Sequence, residues 1–147
     1  MRKFLMVLLP AVAALASLPA QARDTPYMLN IAQALQSAEF KDKLGNSVTF
    51  YFAAQPTPPA AQTFGTFVSN KKANSFGKPD EDACRRAFLD ALITFKDRAV
   101  QLGGNAVVNL VSYYKKETVS SPTEYQCFAG GLMAGVALKG DVVKLGR

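Results

Sequence analysis

The stretch Asp80-Glu81-Asp82-Ala83-Cys84-Arg85-Arg86-Ala87-Phe88-Leu89-Asp90-Ala91-Leu92-Ile93-Thr94-Phe95-Lys96-Asp97-Arg98-Ala99-Val100-Gln101-Leu102 decides the fold class. Cys84, Ala87, Phe88, Ala91, Leu92, Phe95, Ala99 and Leu102 recur at three- and four-residue steps, which lines them up along one side of a helix. Three acids open the segment, where the helix dipole favours negative charge, and Lys96 and Arg98 stand towards its far end. Gly103 supplies the stop, because glycine enters the left-handed conformation at little cost. The spacing predicts one long helix over residues 80–102, with an apolar stripe that needs a partner surface.

On both sides of this helix the period shortens to two. Ser47–Ala53 alternates, with Val48, Phe50 and Phe52 on one side and Thr49 and Tyr51 on the other. Phe64–Lys71 is a weaker strand, and Asn105–Tyr114, Glu124–Phe128 and Leu132–Leu145 follow the helix. Gln55-Pro56-Thr57-Pro58-Pro59 cannot continue a sheet and forms a loop. Asn74–Pro79 is a turn, and Glu117–Thr123 is a polar connection. Gly130-Gly131, Gly135 and Gly140 predict bulges or sharp bends. Residues 23–45 read as a short helical opening: Ile31, Ala34 and Leu35 keep helical spacing, Ser37 caps a second turn through Phe40 and Leu44, and Gly45 ends it. The order predicts an α+β domain: a single sheet of about four to five strands, one long helix packed on one face, and a short N-terminal helical segment.

The first 22 residues follow another logic. Arg2 and Lys3 precede an apolar run from Phe4 to Leu18, and Ala20-Gln21-Ala22 offers the small residues that signal peptidase reads. The run is shorter than the roughly 20 residues of a spanning helix, and Pro10 interrupts it. The expectation is a signal peptide cleaved before Arg23. The product is then periplasmic or secreted: residues 23–147, one domain, with no membrane span after cleavage.

Composition narrows the chemistry. The formal charge is +6 over 147 residues and falls to +4 without Arg2 and Lys3. So mild a basic balance calls for no nucleic acid and permits weak attraction to anionic surfaces. Histidine is absent, which removes His-based triads, His metal ligands and the usual pH switch. Ser112, Ser120 and Ser121 lack both a G-x-S-x-G frame and a histidine base. Gly103-Gly104 and Gly130–Gly135 lack the Lys-Ser/Thr of a phosphate-binding loop and the G-x-G-x-x-G spacing, so helix stop and bulge are their expected roles. The acids Asp80 to Asp82 are explained as a first helical turn. No catalytic residue, metal ligand or cofactor is expected. The two cysteines, Cys84 and Cys127, enter an oxidising compartment together and are expected to join the helix to a strand as a disulfide.

One basic and aromatic run remains, Ser112-Tyr113-Tyr114-Lys115-Lys116. If strands 64–71 and 105–114 lie parallel around the long helix, their C-terminal ends share an edge with the helix N-terminus. Lys71, Lys72, Lys78, Lys115 and Lys116 then gather on one rim with Tyr114, and Asp80, Glu81 and Asp82 offset part of the repulsion. Such a rim would suit an anionic envelope partner: a phosphate-bearing lipid, a polyanion or an acidic protein face. On residue types alone the plain reading, solvated lysines guarding an exposed edge, takes precedence.

Cys84-Arg85-Arg86-Ala87, then Ala99-Val100-Gln101-Leu102-Gly103-Gly104-Asn105-Ala106-Val107-Val108, then a strand carrying Cys127, resembles the small bacterial superfamily of the RcsF envelope-stress lipoprotein and the YbjQ-like proteins. The shared feature is a helix ending in A-x-x-L-G-A-N-A-V-V that runs straight into a strand, and the match covers about residues 80–140. The chain also resembles a family of short secreted proteobacterial proteins, some labelled "excinuclease ATPase subunit", a label with no support in so short a chain without a phosphate-binding loop. The resemblance implies a compact α+β domain with a helix-to-strand disulfide. RcsF acts by protein–protein contact, and heavy-metal binding has been suggested for the YbjQ-like proteins. This chain lacks the lipidated N-terminal cysteine and the further cysteines of RcsF, so neither anchoring nor signalling carries over. The expectation is a non-enzymatic periplasmic interaction or envelope-maintenance module that meets an envelope protein or anionic envelope component. The alternative is a small-ligand or metal-binding periplasmic protein.

Overall fold

A computed structural model describes residues 23–146, and the expected signal peptide lies outside the described residues. The long helix is α3, Asp80–Leu102, as its spacing predicts. Ahead of it come β1 (Thr25–Asn30), α1 (Ile31–Gln36), α2 (Ala38–Leu44), β2 (Thr49–Phe52) and β3 (Ala60–Asn74). After it come β4 (Ala106–Ser112), β5 (Glu124–Ala129) and β6 (Met133–Leu145).

The expected helical opening is corrected by β1, which adds a sixth strand to the five expected. Tyr27 and Leu29 are half-buried while Pro26 and Met28 are exposed, a period-two pattern. The strand pairs antiparallel with β5 from Thr25↔Ala129 to Asn30↔Glu124. Asn30 ends it and caps α1, its Oδ1 accepting from the Gln33 N–H at 2.8 Å. Ser37 caps α2 and Gly45 closes it at φ 62°, as expected.

All six strands form one sheet around β6. Along one edge β6 pairs with β3 over nearly its whole length. Along the other, its N-terminal end pairs with β5 and its C-terminal half with β4, both antiparallel. β1 extends β5, and β2 extends β4 in parallel.

The buried α3 residues Cys84, Ala87, Phe88, Ala91, Leu92, Phe95 and Ala99 join Val107, Leu110, Tyr125, Cys127, Val136, Leu138 and Val142 in one apolar cluster. Leu102, the last residue of the expected stripe, is exposed. Phe88 stacks on Tyr125 with centroids 3.8 Å apart, and burial pushes the Tyr125 phenol above its ordinary range. Cys84 and Cys127 are disulfide-bonded with Cα atoms 5.8 Å apart, tying α3 to β5. Strand residues of the opposite parity, Ala106, Val108 and Val143, make a smaller cluster with Tyr51 and Leu145.

The glycines of β6 serve close packing rather than the expected bulges. Gly140 stays in register opposite Phe67. A Cβ there would sit 2.8 Å from Leu110 Cδ2 and 3.0 Å from Val107 Cγ1. The ladder irregularities fall instead in β3, between Ala60 and Gln62 and between Thr63 and Gly65, and in β4, between Val108 and Val111. Gly130 and Gly131 turn the chain from β5 to β6, the Gly130 N–H donating to Met133 O at 2.8 Å.

Candidate binding cleft

β3 and β4 both run antiparallel to β6, on opposite edges, so they point the same way. β3 ends opposite Met133, at the start of β6, and β4 ends opposite Leu138, midway along it. The expected strand through Tyr114 stops at Ser112, and Tyr114–Lys116 is a 3-10 turn. Within it Lys115 and Lys116 take φ values of 52° and 64°. A left-handed residue with a Cβ costs roughly 1–2 kcal/mol, a cost glycine avoids.

The turn brings the Tyr114 ring onto Phe128, with centroids 4.1 Å apart and planes 17° from parallel. Lys115 Nζ sits 5.5 Å from the Tyr114 centroid and 3.7 Å from an Asp24 carboxylate oxygen. Lys72 lies opposite Gly135 in the β3–β6 ladder. A Cβ on Gly135 would come within 3.3 Å of Tyr114 and 3.9 Å of Lys72 Cγ, so the glycine keeps the space between them open. The result is an open cleft of about 440 Å³, bordered by Arg23, Lys72, Tyr114, Phe128, Met133 and the Gly130-Gly131 turn.

Of the expected rim residues, Lys72 and Tyr114 line this cleft, and Lys115 lies beside the Tyr114 ring and pairs with Asp24, which also lines it. Lys116 is exposed on the same turn, and Lys78 is exposed in the turn between β3 and α3. Lys71 departs: side chains alternate along a strand, and Lys71 pairs with the core residue Val136 on the other side of the sheet from Lys72. Two of the three acids expected to offset the lysines are held by arginines. Asp82 pairs with Arg85 at 2.7 Å. Asp80 takes both Arg23 guanidinium nitrogens, at 2.6 and 3.0 Å. The Tyr27 hydroxyl also donates to Asp80, at 2.7 Å. Those hydrogen bonds, from Arg23 first and Tyr27 second, hold the Asp80 carboxyl down to about 2. Glu81 lines a separate small hollow with Arg85 and Tyr125.

Sequence reasoning missed Arg23 and Phe128. Arg23 donates to Gly130 O at 3.0 Å as well as to Asp80, 57 positions away. Ser75 completes the knot, its hydroxyl donating to Gly130 O at 2.7 Å and its N–H to Leu132 O at 2.9 Å. No local pattern encodes such pairings. The alternation of β5 does put Phe128 on the side opposite Cys127, and that signal was available.

Chemically the cleft offers the Lys72 ammonium beside an aromatic stack, a set that suits an anion, while the Arg23 guanidinium is held by Asp80 and Gly130 O. Among the described residues no three His, Cys, Asp or Glu side chains are grouped to hold a metal ion, and no helix is long and apolar enough to cross a membrane. No protein-family model, curated protein or solved structure matches the chain.

Proposed function

We propose that the protein is a non-enzymatic periplasmic interaction or envelope-maintenance module that captures an anionic envelope component at the cleft beside Tyr114. One observation carries this reading: Lys115 and Lys116 occupy consecutive left-handed positions next to the Tyr114–Phe128 stack. Glycine or asparagine would hold that turn at lower cost. Lysine at both positions is accounted for by a need for charge there. Export is supported by the three-part N-terminus, and the Cys84–Cys127 disulfide is compatible with an oxidising compartment. The resemblance to the RcsF and YbjQ-like superfamily points the same way, towards contact rather than turnover.

The test uses the exported chain, with its N-terminus at Arg23 verified by intact mass, and soluble polyphosphate as the anionic probe. Binding that weakens with salt, and drops about tenfold or more in Lys72→Ser/Lys115→Ser/Lys116→Ser, is expected. Binding unchanged by the triple substitution would leave these lysines as edge guards only. A second reading rests on the cleft volume, about 440 Å³, which lies in the range of small-molecule sites. A native mass spectrum of the periplasmic protein that shows a retained small ligand favours that reading.

A further inference from the structure

The end of the sheet that holds the cleft also carries the two most exposed large apolar side chains among the described residues, Phe76 and Leu132, with Met133 beside them. Phe76 is 70% exposed, Leu132 67% and Met133 46%. They stand on two adjacent turns, β3 to α3 and β5 to β6. The Ser75 N–H to Leu132 O bond at 2.9 Å, the Ser75 hydroxyl to Gly130 O bond at 2.7 Å and the Asn74↔Met133 pair lock these turns together. None of these side chains belongs to the core, though Leu132 and Met133 line the cleft. Phe76 and Leu132 belong to neither apolar cluster. Asn74 Oδ1 accepts from the Phe76 N–H at 2.9 Å, which fixes the backbone that presents the ring.

Lysines surround this tip. Lys72 lines the cleft beside Met133. Lys78 is two residues beyond Phe76, and Lys115 and Lys116 follow Tyr114. Among the described residues Lys72, Lys78 and Lys116 enter no ion pair, whereas Asp80, Asp82 and Asp24 are each held by a cation, Arg23, Arg85 and Lys115 respectively. Glu81, three residues beyond Lys78, and Glu117, beyond Lys116, are nearby acids that are exposed and in no ion pair among the described residues. A few apolar side chains on turns flanked by lysines, three of them in no ion pair, match the layering of an anionic bilayer surface, with acyl chains below and phosphates above. An acidic protein face would satisfy the lysines but leave Phe76 and Leu132 without a complement.

We propose that these paired turns dock on an anionic lipid surface, with Phe76 and Leu132 entering the interface and Lys72, Lys78, Lys115 and Lys116 lying among the lipid phosphates. This rests on the anionic-partner reading above and names the lipid headgroup as the source of the anion. The experiment is co-sedimentation of the exported chain, residues 23–147, with vesicles of about three parts phosphatidylcholine to one part phosphatidylglycerol, beside pure phosphatidylcholine vesicles and soluble polyphosphate. Salt-sensitive binding to the mixed vesicles and little to the neutral ones is expected. Phe76→Ser, outside the cleft lining, should lower vesicle binding about tenfold and leave polyphosphate binding unchanged, and adding Leu132→Ser should lower vesicle binding further. Lys72→Ser/Lys78→Ser/Lys115→Ser/Lys116→Ser should lower both, vesicle binding by about a hundredfold. Lys144→Ser, at the opposite end of β6, should change neither, and far-ultraviolet circular dichroism checks that each variant is folded. Vesicle binding insensitive to Phe76→Ser/Leu132→Ser, or absent while polyphosphate still binds, overturns lipid docking and leaves the cleft reading standing. Binding to neither probe overturns both.

Discussion

Reducing the Cys84–Cys127 bond isolates its contribution to stability, because reduction keeps both sulfurs in the core. The two cysteines are 43 positions apart. In the chain-entropy treatment a loop of that length removes about 4 kcal/mol worth of freedom from the unfolded chain. Both residues are fully buried, so little solvent-exposed geometry changes on reduction, and the effect falls mainly on the unfolded state. Urea unfolding followed by far-ultraviolet circular dichroism, with and without reductant, should show a loss of about 4 kcal/mol. The slope against urea should be steeper for the reduced protein, whose unfolded chain exposes more surface. For a domain of this size the thermal midpoint should fall by about 10–15 °C. Cys84→Ala/Cys127→Ala should lose up to about 1 kcal/mol more, since two buried sulfurs leave a small cavity. Oxidised and reduced proteins that agree within about 1 kcal/mol would refute the entropic argument, because the predicted term is several times larger.

Gly140→Ala should destabilise by about 1–3 kcal/mol, as the new methyl meets Leu110 and Val107, while Gly131→Ala, with nothing within 4 Å of the added carbon, should be nearly neutral in the same urea titrations; equal effects at the two sites would sink the close-packing account. Asp80 has a depressed carboxyl, so the stability it confers is fully present above its unfolded value, near 3.8, and is lost as pH falls towards about 2. Parent and Asp80→Asn should therefore differ by a constant amount at neutral pH and converge across that acid window in thermal melts. A carboxyl resonance of Asp80 titrating at 3.8 would contradict the Arg23 clamp.

The helix at residues 80–102 was legible end to end, because its stripe, acidic first turn and glycine stop are all local signals. So was the pairing of Cys84 with Cys127, since a chain with two cysteines offers one intramolecular pairing. Strand boundaries were less legible. β3 runs from Ala60 to Asn74, well beyond the apolar residues that marked it, because backbone pairing with β6 holds polar residues such as Gln62 and Asn74 in the ladder. β1 was hidden by the helical spacing that begins at Ile31, and only its partner β5 declares it a strand.

At the cleft the division is sharper. The sequence by itself determined which charges were available, that no histidine chemistry could operate, and that Lys71, Lys72, Lys78, Lys115 and Lys116 were expected on one rim with Tyr114 if their strands ran parallel. Tertiary structure alone decided that they do run parallel, each antiparallel to β6 between them. It also sent Lys71 to the opposite side, engaged Asp80 with an arginine 57 positions away, and set Phe76 beside Leu132. The physical reason is range. Periodicity, capping and dipole effects act over a few residues and can be read from neighbours in the chain, whereas register, ion pairing across the fold and the juxtaposition of turns depend on contacts that exist only once the sheet has closed around β6.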